Sequence, residues 1–131
     1  MDSREPNFRI VGMTVDVWSL FTGFFTRRKL DVPPHSHDGV FVMSGGALLA
    51  GCLIYPCEGP YAVVEFAATE PEANPRLAHD AMLHGARALP LYGAMRGKVM
   101  LCFPRSRGMA KLLERAGFAY EKTPVMVPRM Q

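Results

Sequence analysis

Lys111-Leu112-Leu113-Glu114-Arg115-Ala116-Gly117-Phe118 is the stretch on which the fold turns. It reads as the end of a short amphipathic helix. Leu112, Leu113 and Ala116 share one face, and Lys111 and Arg115, four residues apart, share the other. Gly117 accepts the positive φ that such a stop requires, and Phe118 then packs back on the last turn. A strand-like run, Lys98 to Phe103, precedes the helix, and another, Tyr120 to Val127, follows it.

Working outward, the chain divides into alternating elements. Phe8 to Met13 reads as a first strand. Thr14 or Asp16 caps a helix running to about Lys29, with Val17, Trp18, Phe21, Phe24 and Phe25 as its apolar stripe. The basic run Arg27-Arg28-Lys29 reads as a solvated helix end. Leu30 to Gly39 is a loop. Val40 to Met43 and Ala47 to Tyr55 form an antiparallel pair turned at Ser44-Gly45-Gly46, and Tyr61 to Thr69 is the next strand. A helix then starts at Pro75 or Arg76 and runs to about Leu89, where Pro90 is expected to end it. The order is β-α-β-β-β-α-β-α-β. The expected fold class is α/β (α+β): a mixed, mostly antiparallel sheet with helices on both faces, as one domain over residues 1–131.

Composition narrows the function classes. The 131 residues are 49% hydrophobic and 21% charged, the balance of a globular domain. A net charge of +3, with no basic cluster larger than Arg27-Arg28-Lys29, argues against a nucleic-acid partner. Residues 39–57 carry no charge, but Ser44-Gly45-Gly46 and Pro56 punctuate them as a hairpin and not as a membrane helix. Three cysteines leave one unpaired, and Met1-Asp2-Ser3-Arg4-Glu5 is polar, so a reducing, cytoplasmic setting is expected. His35-Ser36-His37-Asp38 lacks metal-ligand spacing and reads as solvated loop; no metal site is expected. Neither a Walker loop, nor a dinucleotide glycine fingerprint, nor Gly-x-Ser-x-Gly is present.

The strand, helix ending in Gly117-Phe118, strand order resembles the close of the fold shared by the GNAT superfamily of N-acetyltransferases. Thr69-Glu70-Pro71 resembles that family's Val-x-Pro strand exit. The stretch Phe66 to Leu89 is also similar to acetyltransferase-like proteins common in bacteriophage genomes. The resemblance covers about residues 40–127. It implies acetyl-CoA as co-substrate and an unidentified amine as acceptor. It also implies that the fourth and fifth strands run parallel and splay apart, that the pantetheine arm pairs with the bared fourth strand, and that the next helix aims its N-terminus at the pyrophosphate.

Carried onto this chain, the resemblance puts the pantetheine contact on Ala67 and Thr69. By alternation these share a face with Val63 and Glu65. It puts the pyrophosphate turn at Asn74, Arg76, Leu77 and Ala78, and a cap or CoA contact at Ser106. The chain departs from the family in two ways. It has no glycine between Gly59 and Gly85, where the family's turn is glycine-rich. The positions of the family's final-helix motif are Ser106, Met109, Leu112 and Leu113, so its tyrosine acid is absent and Tyr120 is the substitute. Glu65, the only charged residue within its strand, is the candidate base. These departures favour a second class of function: a catalytically degenerate protein-binding or phage structural module. The edge at Ala119–Val127 is the segment expected to pair in a homodimer.

Overall fold

The structure is a computed structural model that describes residues 7–120. Its elements are β1 (Arg9–Val11), α1 (Val15–Thr26), β2 (Asp38–Ser44), β3 (Ala47–Pro56), β4 (Tyr61–Thr69), α2 (Pro75–Met95), β5 (Val99–Cys102) and α3 (Arg107–Arg115). The strand expected beyond Tyr120, and with it the dimer edge, lies outside the described residues.

The five strands form one sheet in the order β1-β2-β3-β4-β5, antiparallel throughout except for the parallel pair β4/β5. The β2–β3 hairpin closes on Gly45 and Gly46, at φ 57° and 85°, the positive values a two-residue turn of this kind demands. Strand alternation then separates two cores. Phe41 and Leu53 point to one face, where α1 buries Phe21 and Phe24. Val40, Cys52 and Ile54 point to the other, where α2 lays down Leu89. Gly85 lets α2 approach, since a Cβ there would stand 2.9 Å from a Val42 methyl. α3 packs on the outer side of α2 through Leu112, Leu113 and Ala116 against Leu83 and Ala86.

The end of α3 follows its sequence signal. Phe118 N–H donates to Leu113 C=O (2.9 Å) and Gly117 N–H to Glu114 C=O (3.1 Å), with Gly117 at φ 101°. Ser106 caps the start, its hydroxyl accepting from Met109 N–H at 3.1 Å.

Three expectations are corrected. Pro90 does not end α2, which continues to Met95. Proline withholds one N–H from the helix ladder, but its ring is exposed and tertiary contacts hold the turns beyond it. Tyr92 donates to Asp38 (3.1 Å), Arg96 pairs with Asp38 (2.8 Å) and stacks on Tyr92 (3.5 Å). Asp38 is thus an anchor, not solvated loop, and Ser36 beside it is buried with its hydroxyl donating to Ile54 C=O. Arg27 is not a solvated helix end either. It grips Glu70 at the exit of β4 with two bonds of 2.5 and 2.7 Å.

Candidate functional site

β4 and β5 pair from Tyr61↔Val99 to Val64↔Cys102 and no further. β4 runs on to Thr69, while the chain after β5 turns through Pro104 into α3. The two strands therefore part, and the β5 side of β4 is bare from Glu65 onward.

A bulge sits at the parting. Leu53 opposes Glu65, but Gly51 opposes Ala68, so Cys52 faces both Phe66 and Ala67. Phe66 takes φ 56°, a left-handed conformation rare for an aromatic residue. The bulge reverses the sense of the strand. Tyr61 C=O accepts from Cys57 on the β3 side, and unbroken alternation would turn the backbones of Ala67 and Thr69 the same way. Instead Glu70 N–H donates to Leu49 C=O (2.8 Å), so Ala68 faces β3 and the backbones of Ala67 and Thr69 face away, into the cleft. The expectation that Val63, Glu65, Ala67 and Thr69 share one face is corrected for the same reason. Glu65 stands opposite Leu53 on the α1 face, and Ala68 packs into that same core.

The wedge encloses a cavity of about 430 Å³ lined by Val64 to Ala67, by Cys102 to Ser106, and by residues of α2 and α3. Cys52 and Cys102 line it near the point of parting. Burial pushes their thiols up to about 12 and about 11, so both stay protonated and neither is a nucleophile near neutral pH. A wider groove of about 700 Å³ continues past Thr69 and Pro71 to Ala78 and His79, sharing Ala67, Met82, Ser106 and Met109 with the inner cavity.

Of the residues singled out from the sequence, Glu65, Ala67 and Ser106 meet in the inner cavity, and Ala67, Thr69, Ala78 and Ser106 line the groove. Asn74, Arg76 and Leu77 form the tip of α2. The Asn74 carboxamide oxygen accepts from both Arg76 N–H (2.9 Å) and Leu77 N–H (3.4 Å). Pro75 has no N–H, and Ala78 N–H bonds Asn74 C=O (2.9 Å), so this helix start already satisfies its own donors. The Arg76 side chain lines neither cavity. Tyr120 is not brought to Glu65. It is exposed and lines, with Phe118 and Glu114, an adjoining depression that shares Cys102, Phe103, Pro104 and Leu113 with the inner cavity.

The electrostatics are mixed. Arg27 holds the Glu70 carboxyl below its ordinary value, with the Glu72 N–H adding to that effect. Arg105 stands 3.6 Å from Glu65 and is 85% exposed, so the pair is held loosely. Tyr55, pushed up by burial and by the neighbouring Glu65 charge, keeps its proton and donates to Pro34 C=O at 2.8 Å. Sequence reasoning missed Phe66, Cys52, Cys102 and Arg105 as cleft residues. A bulge leaves no residue signature in a strand such as Tyr61–Thr69, so nothing in the chain announced them. Among the described residues there is no cluster of three or more His, Cys, Asp or Glu suited to a metal, and no helix is long and apolar enough to cross a membrane.

No family model and no curated protein sequence matches the chain. Solved structures do. A probable acetyltransferase superposes with a TM-score of 0.65 at 16% identity, covering 94% of this chain and 99% of its own. The aminoglycoside N-acetyltransferase AAC(6')-Iy, solved in complex with CoA, superposes with a TM-score of 0.63 at 16% identity, covering 98% and 99%. A Trypanosoma brucei acetyltransferase gives 0.57 at 13% identity, covering 94% and 100%. At these identities the likeness is one of fold, and the fold is the mixed sheet those acetyltransferases share.

Proposed function

We propose that this chain is an acyl-CoA-dependent N-acetyltransferase that acts by direct attack of an amine on the thioester. The observation that carries the reading is the parting of β4 from β5 after Val64 and Cys102, with the bulge turning the Ala67 and Thr69 backbones into the gap. An extended pantetheine arm pairs there as an added strand. Its phosphates run along the groove toward Ser106 and the tip of α2, where Asn74 swings off the Arg76 and Leu77 amides to release them.

The step balances without a covalent enzyme intermediate. The neutral amine forms the new C–N bond at the carbonyl carbon, the C–S bond breaks, and the CoA thiolate leaves with the electron pair. Glu65, directly or through water, takes the proton that the amine loses, and solvent protonates the thiolate. The three cysteines, all free, support a reducing compartment.

The self-capped tip of α2 favours the second reading, a binding module whose CoA cleft is no longer used. Thermal unfolding with acetyl-CoA separates the two. Ligand at a hundred times its dissociation constant stabilises by about 2.7 kcal/mol, read as a rise in Tm. No rise at millimolar acetyl-CoA removes the enzyme reading and leaves the module.

A further inference from the structure

The cleft passes through the sheet, and its two openings differ. α2 and α3 border one, which the donor reading assigns to CoA. The other lies on the α1 face, because Glu65 stands opposite Leu53 there and the Phe66 ring packs edge-on to Tyr55 (centroids 6.0 Å apart). Phe25 and Leu30 from the end of α1 stand beside Phe66 and Glu65 in the inner cavity and also border the outer groove.

Backbone strain marks the same place. Among the described residues only Lys29 and Phe66 hold a positive φ without being glycine, at 59° and 56°. Lys29 ends α1 so that Leu30 N–H returns to Phe25 C=O (2.9 Å), which sets Leu30 at the cleft. Phe66 is the bulge residue itself. Non-glycine residues persist in this conformation only where surrounding structure enforces it, and they gather at functional sites. Here the turn at Lys29 places the apolar Leu30, and the bulge places Phe66, at one mouth, and Phe66 remains 36% exposed.

The charge of the cleft is equally selective. Its inner cavity holds one carboxylate, Glu65, and the outer groove's Glu70 is already engaged by Arg27. Arg28, Arg105 and His79 line the rest. One ammonium fits beside Glu65 once the exposed Arg105 swings aside, whereas a polycation meets more positive than negative groups.

We infer that the acceptor is a primary amine carried on an aromatic or bulky apolar group, bound at the α1-face mouth with its nitrogen at Glu65 and its apolar part against Phe66, Phe25 and Leu30. The inference rests on the donor reading above. The test uses the whole chain with acetyl-CoA and two probes, phenethylamine and spermidine, and follows acetylated product by mass spectrometry. Phenethylamine is expected to exceed spermidine in kcat/KM by about ten-fold or more, and Phe66→Gly to lower that ratio about ten-fold. Glycine takes φ 56° without strain, so this variant keeps its fold, which a retained acetyl-CoA thermal shift verifies. Stabilisation by acetyl-CoA with no acetylation of phenethylamine, with spermidine equal or better, or with the ratio unmoved in Phe66→Gly, overturns the inference and leaves the donor reading standing. No stabilisation by acetyl-CoA overturns both.

Discussion

The carboxamide oxygen of Asn74 occupies the two amides, of Arg76 and Leu77, that an incoming phosphate would use. Asn74 was expected in this turn; that its side chain caps the helix and leaves no donor over was not legible, because the outcome depends on the rotamer the side chain adopts. Asn74→Gly frees both amides at a cost of a few tenths of a kcal/mol, while displacing the native cap costs about 1 kcal/mol. CoA is therefore expected to bind this variant about five-fold tighter by isothermal titration. Unchanged or weaker binding would mean that phosphate does not use those amides. Phe66 shows the other limit. Its neighbours in Tyr61–Thr69 alternate like any half-buried strand, and only pairing with β3 forces the extra residue that reverses the backbone at Ala67. Glu65 was legible as a lone charge in an apolar strand, but its face relative to Ala67 was not.

At the scale of elements, signals carried by local chemistry held and one breaker was overruled. The stop of α3 was readable because glycine followed by an apolar residue has few other uses after an amphipathic run. Gly117→Ala isolates its worth. A Cβ there meets nothing within 4 Å, so the loss is purely the left-handed backbone at φ 101°. Urea denaturation should show a destabilisation of about 1–2 kcal/mol with an unchanged m-value. Pro90 was the overruled signal. A missing N–H on an exposed side of α2 weighs less than the Asp38, Arg96 and Tyr92 contacts beyond it, and those join residues 54 to 58 positions apart that no local window sees.

Across the whole molecule, the order of the eight described elements was legible from the alternation of strand and helix signals, while the parallel β4/β5 pair was expected only from the family resemblance. The cleft's lining was not legible, because it is assembled from six elements: α1, β3, β4, α2, β5 and α3. Cys52 and Cys102 illustrate this: each reads as a small core residue, yet both end up at a cavity. Their burial in the assembled fold makes a prediction. With a disulfide-exchange reagent at pH 8, exposed Cys57 should react at once, and Cys52 and Cys102, whose thiols ionise only near 12 and 11, should react only on unfolding. Three fast thiols would mean that the wedge between β4 and β5 stands open. The grip of Arg27 on Glu70 has a wider meaning in this setting. Arg27, at the end of the first helix, holds Glu70 just ahead of the second, so any displacement of the first helix pulls, through a two-pronged strut, on the start of the second. Because Arg27 holds the Glu70 carboxyl below its ordinary value, that strut is present above the ordinary carboxylate range and is lost as pH falls through the lowered value.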